Sequence, residues 1–147
     1  MPERLLMAKV APEAYKKVFE LHAYSQKTVD PALLELIKLR ASMLNGCSYC
    51  VDLHSKDALK AGESSQRLFA VSVWPESPFF TTGERAALAL TDAVTKIGEA
   101  GVPDDVWDAA GEIWSDKEVA DIVMAIIMIN AFNRIAISTH QFPTLDA

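Results

Sequence analysis

Glycine and proline are scarce, six and seven in 147 residues, and most of them fall between periodic segments. Interruptions this few and this placed predict helices joined by short loops. No stretch alternates apolar and polar residues long enough to make a useful strand, and there is no glycine-rich phosphate loop and no internal repeat. Basic residues are outnumbered 14 to 20, giving a formal net charge of −6 and a pI near 5.0. Without a basic stripe the chain is not expected to bind nucleic acid. The longest strongly apolar run, Ile122 to Ile129, falls short of the roughly 20 residues that span a bilayer. Asn130, Asn133 and Arg134 would be costly in lipid, so no membrane association is expected. Met1-Pro2-Glu3-Arg4-Leu5 lacks the basic start and apolar core of a signal peptide, which predicts a cytoplasmic protein. Cysteine is limited to two residues three apart, a pattern of redox or metal chemistry rather than of a structural disulfide framework.

What remains is an apolar chain of the size of one domain, residues 1–147, with half its residues hydrophobic. So much apolar surface predicts that part of it is covered by another subunit. The expected fold is an all-α bundle of about six to eight helices.

Pro12 to about Lys27 forms the first amphipathic segment, with Tyr15, Val18, Phe19 and His22 on one face and His22 read as a packing residue. Asp30-Pro31 starts the next helix, Asp as cap and Pro in the first turn. Leu33, Leu34, Leu36, Ile37, Leu39, Met43 and Leu44 carry that helix to a stop at Asn45-Gly46. A third helix follows at once, from about Cys47 to Ala61, ended by Gly62. Ser64 to Val73 is predicted to be a shorter helix with Leu68, Phe69 and Val71 inward, and Trp74 to Pro78 a loop. Thr81-Thr82-Gly83-Glu84 and Ser115-Asp116-Lys117-Glu118 both have capping-box spacing. The first box opens a helix through Ala86, Leu90, Val94 and Ile97, closed by Gly98 and Gly101. Pro103-Asp104-Asp105 begins another, and the second box precedes a central helix over Val119 to Ile137. His140 is expected to be exposed.

Chemistry concentrates in Gly46 to His54. At roughly 100° per residue, Cys47, Cys50 and His54 fall within an arc of about 60° on the third helix. Val51, Ala58 and Ala61 share that inward face, while Asp52, Lys56 and Lys60 point outward and Tyr49 points away from the sulfurs. The helix N-terminus would lower the pKa of a cysteine in its first turn, which favours Cys47 as the more acidic thiol. Glu35 interrupts the apolar face of the preceding helix. Measured from the Gly46 hinge it lies about 16 Å down one helix and His54 about 12 Å down the other, so a hairpin would bring acid and imidazole together. A dithiol, a base and an acid are the parts needed to attack a peroxide, resolve a sulfenic acid and move the proton. The same Cys47, Cys50, His54 and Glu35 also make a possible tetrahedral zinc set, although a chain with so much apolar core has no need of a structural metal. A non-catalytic redox sensor or oligomeric binding protein is the other alternative.

Glu35, twelve residues ahead of Cys47-Ser48-Tyr49-Cys50, with His54 four beyond the second cysteine, resembles the core motif of the alkyl hydroperoxidase D and carboxymuconolactone decarboxylase superfamily. The resemblance is close over about residues 31 to 62. It extends to Arg67–Leu90, with Phe69-Ala70-Val71 and Glu84-Arg85-Ala86-Ala87-Leu88. It implies an all-helical fold assembling as a homotrimer or homohexamer, and a thiol-dependent peroxidase acting on organic hydroperoxides or hydrogen peroxide. It further implies Cys50 as the attacking thiol, Cys47 as the resolving one, Glu35 and His54 as a proton relay, and no cofactor or bound metal. The implied electron donor is an external dithiol, a lipoyl group or a thioredoxin-like protein. The well-characterised peroxidase of this superfamily has a histidine where this chain has Tyr49. Decarboxylase members lack the cysteine pair, which argues against lactone decarboxylation.

Overall fold

A computed structural model describes residues 1–147 and is all-helical. The helices are α1 (Met7–Val10), α2 (Pro12–Thr28), α3 (Pro31–Asn45), α4 (Ser48–Lys60), α5 (Ser65–Ala70), α6 (Thr82–Thr95), α7 (Asp104–Gly111) and α8 (Asp116–Thr139), with a 3₁₀ segment, Val71–Glu76, between α5 and α6.

The ends of the helices follow local chemistry. Asp30 accepts the Leu33 N–H at 3.1 Å, and Pro31 occupies the first turn of α3. Gly46 ends α3 at φ 71°, a left-handed conformation natural to glycine, and lets α4 fold straight back. Both capping boxes form, Thr81 with Glu84 at the start of α6 and Ser115 with Glu118 at the start of α8. α6 stops at Thr95, before the glycines expected to end it.

α3 lies at the centre, packed against α4, α6 and α8. One core forms where α3, α6 and α8 meet, around Ile37, Leu90, Ile126, Met128 and Ile129. A second lies under α5 and the 3₁₀ segment, around Leu36, Leu39, Leu68, Val71, Trp74 and Leu88. Each such side chain contributes about 1.5–3 kcal/mol by leaving water. α2 lies along α8, and Tyr15, Phe19 and Phe132 interlock edge to face with centroids 4.9–6.2 Å apart. α8 is long and apolar enough to cross a membrane by length and composition, but Val119, Ile122, Ala125, Ile126 and Ile129 face the core. Its other side leaves Met124, Ile127 and Ile137 exposed, Ile127 by 45%.

The segment after α4 departs from the sequence expectation. The α-helix ends at Ala70, and Phe69 faces outward, 77% exposed, instead of inward. Trp74 to Glu76 is not loop but the end of the 3₁₀ segment. Proline's fixed φ suits such a turn. The carbonyls there find arginine partners: Arg40 donates to those of Val71 and Ser72, and Arg85 to those of Trp74, Pro75 and Ser77.

Candidate functional site

α4 begins at the sulfur pair. Cys47 is the N-cap residue, and the Cys50 N–H reaches its Sγ at 3.4 Å. The two cysteines are joined as a disulfide, with Cα atoms 5.3 Å apart, and both are buried, 2% and 3% exposed. One turn further on, His54 is buried on the same face, as its i, i+4 spacing from Cys50 requires. Ala58 continues that buried face, but Ala61, expected inward, is exposed at the end of the helix.

The hairpin about Gly46 brings α3 alongside. His54 Nδ1 lies 3.9 Å from Glu35 Oε2, close but beyond hydrogen-bond length. The other oxygen of Glu35 pairs with Lys38 Nζ at 2.6 Å. Lys38 is only 2% exposed and received no role from the sequence. The missed signal is the stripe Glu35, Lys38, Ser42, Asn45, whose 3-4-3 spacing marks a polar seam on one side of α3.

Burial sets the protonation of this group. His54 is pushed down to about 3, first by desolvation and then by the charge of Lys38 and by His22. It is therefore a neutral imidazole at pH 7, and its approach to Glu35 is not an ion pair. Desolvation raises the Glu35 carboxyl above its usual range, although Lys38 opposes the shift.

Cys50 and His54 line an apolar cleft of about 80 Å³. α2 supplies Tyr15, Phe19 and His22 to its wall; α8 supplies Met128, Phe132 and Ala136. Tyr49, Leu53 and Gln141 complete it. Two sequence expectations are corrected here. Tyr49 does not point away from the site but shares the cleft with Cys50; burial, and after it the neighbouring Tyr49, raises the pKa of the Tyr15 phenol. His22 is not merely packing: it lines the same cleft, and its Nε2 is buried with no protein partner. Helical arithmetic on α4 alone fails for Tyr49 because α2 and α8 wrap the helix from the side. His140 is partly covered, in a left-handed conformation at the end of α8, with its ring against Phe142.

A carboxylate, an imidazole and a second carboxylate, from Glu35, His54 and Asp57, bring possible ligand atoms within 4.8 Å of one another. The cysteine sulfurs are not among them, so the four residues first considered for zinc do not form that cluster. Lys38 already places a positive charge on Glu35 within it.

Residues 11–93 match the model of the carboxymuconolactone decarboxylase family, a span that includes α2 to α5 and the whole site on α3 and α4. The chain is 36% identical over 139 residues to the uncharacterised protein YdfG of Bacillus subtilis, covering 94% of this chain and 95% of that protein. It is 44% identical to a protein of unknown function from Agrobacterium tumefaciens, described as a candidate antioxidant defence protein AhpD, with a TM-score of 0.93 over 98% of this chain and 100% of that one. The debrominase Bmp8, solved with 2,3,4-tribromopyrrole, superposes with a TM-score of 0.81 over 96% of this chain and 74% of its own, but at 21% identity this is a likeness of fold alone. By its family match and by its identity to YdfG over nearly its full length, the chain belongs to the carboxymuconolactone decarboxylase family.

Proposed function

We propose that this protein is a thiol-dependent peroxidase that reduces organic hydroperoxides or hydrogen peroxide through a Cys47/Cys50 disulfide cycle. The observation that carries the reading is the placement of Cys50: of the bonded pair it alone lines the apolar cleft, and His54 lines that cleft beside it. In the reduced protein, His54 takes the Cys50 proton, and the thiolate attacks the terminal peroxide oxygen. An S–O bond forms as the O–O bond breaks, and the leaving alkoxide receives the proton from His54. Cys47, behind Cys50, then displaces hydroxide from the sulfenic acid. Its own proton leaves with the hydroxide as water, and the disulfide forms. Two thiols are oxidised and one peroxide is reduced to alcohol and water. An external dithiol, a lipoyl group or a thioredoxin-like protein, returns two electrons and two protons.

Glu35 completes the relay. A neutral imidazole with a depressed pKa holds a proton poorly, but closing the 3.9 Å gap would let His54 Nδ1–H donate to Glu35 Oε2 and stabilise the charged ring. Lys38 anchors the opposite carboxylate oxygen, leaving Oε2 free for that contact. Assembly as a homotrimer or homohexamer belongs to the same proposal, and is supported by the apolar side chains that α8 leaves exposed.

The test is peroxide consumption with dihydrolipoamide and thioredoxin as alternative donors. Turnover is expected in the wild type and not in Cys50→Ser. Stoichiometric oxidation without turnover by any donor would favour a redox sensor instead.

A further inference from the structure

Three buried polar side-chain atoms lack a protein partner: Glu35 Oε2, His54 Nδ1 and His22 Nε2. The first two face each other and are accounted for by the relay. The third has no such counterpart. A buried polar atom left unsatisfied is costly, and that cost is recovered when a ligand supplies the missing partner. His22 sits on α2, across the cleft from α4, with its ring edge-on to Phe132 at a centroid distance of 6.2 Å. Burial and the charge of Lys38 lower its pKa, against the opposing pull of Asp57, so at pH 7 the ring is neutral and carries one N–H. A neutral imidazole in an apolar cleft is suited to donate a hydrogen bond to developing negative charge without itself losing a proton.

On the peroxidase reading, we infer that His22 is a further catalytic residue, donating a hydrogen bond from Nε2–H to the oxygen that leaves as alkoxide when the Cys50 thiolate attacks an organic hydroperoxide. The electron and proton balance of the step is unchanged. Sulfur gains the terminal oxygen, the O–O bond breaks, and the alkoxide takes its proton from His54, while His22 keeps its own. The apolar walls formed by Phe19, Phe132 and Leu53 would receive the organic part of the substrate.

Thiolate formation and peroxide cleavage can be measured separately. Full-length protein, reduced and freed of reductant, is mixed with tert-butyl hydroperoxide, and the loss of free thiol is followed by quenching and mass spectrometry. In parallel, the rate of Cys50 alkylation by iodoacetamide is recorded against pH, a readout that needs the thiolate but no leaving oxygen. His22→Phe is expected to slow oxidation about 100-fold, the scale of losing one oxyanion donor, and to leave the alkylation profile within about twofold of the wild type. His22→Gln, which keeps an N–H donor, is expected to recover part of the oxidation rate. Wild-type oxidation rates in His22→Phe, or an equal fall in oxidation and alkylation in both variants, would overturn the role of His22 and leave the peroxidase reading standing. A wild type inert to the peroxide would overturn the peroxidase reading, and the role of His22 with it.

Discussion

The polar seam of α3 has two halves that the protein treats in opposite ways. Toward the C-terminus, Ser42 donates to the Lys38 carbonyl at 2.6 Å and accepts from Asn133 Nδ2 at 2.9 Å. Asn45 Nδ2 donates to the side-chain oxygens of Asn130 and Asn133, and Asn130 Nδ2 donates to Thr95 and to the Ile126 carbonyl. The network ties α3 to α8 and to the end of α6. Toward the N-terminus, Glu35 and Lys38 pair with each other, but Glu35 Oε2 and His54 Nδ1 are left short of a hydrogen bond. Both halves bury polar atoms at a cost; only one leaves that cost unrecovered. The saturated half holds the bundle together, and the unsaturated half lies beside the disulfide, where the proposed reaction would move a proton.

Substitutions can break or sharpen this contrast. The largest effect belongs to the reactive end: Cys50→Ser should lower peroxide turnover more than about 10³-fold with little loss of stability, measured by coupled assay and by urea unfolding. His54 should then reveal itself in acid. Its folded pKa, about 3, lies below the ordinary 6.5, so the unfolded chain binds more protons as pH falls through that interval. The stability that depends on this ring being neutral is complete above about 6.5 and is lost toward 3, on the order of 5 kcal/mol. His22 shifts in the same direction; Glu35, raised, contributes stability in acid that fades as pH increases, so the two act oppositely. The urea midpoint of the wild type should therefore fall more steeply than that of His54→Gln between pH 7 and pH 4.

At the saturated end the signature reverses. Asn133→Ala should cost about 2–3 kcal/mol in urea unfolding, because Ser42 and Asn45 both lose a buried partner, while peroxide kinetics of the folded protein change less than about threefold. Gly46→Ala should cost about 1 kcal/mol: nothing crowds a Cβ there, and the penalty is the left-handed backbone alone. Phe69→Ser, outside both halves, should change stability by less than about 0.5 kcal/mol, since its ring is already in water.

Much of the fold is legible because helix ends are local. Asp30 and Pro31, Gly46, and the boxes at Thr81 and Ser115 each act within a turn or so of their own position. The 3₁₀ segment was not legible, because its carbonyls are satisfied by Arg40 and Arg85, which lie 31 residues before Val71 and 11 after Trp74. In the site, the i, i+3 and i, i+4 spacings of Cys47, Cys50 and His54 set a common face of α4, and Gly46 returned the chain so that Glu35 came near. Lys38 drew no reading because its burial depends on what packs beside α3, and His22 read as a packing residue because the helix it faces across the cleft lies elsewhere in the chain.

The sequence by itself determined where helices start and stop and which residues share a face, because capping and periodicity act over one or two turns. Only the tertiary structure decided which buried polar groups find partners and which are left without one. That depends on how α2, α3, α4 and α8 meet, and such contacts join residues far apart in the chain.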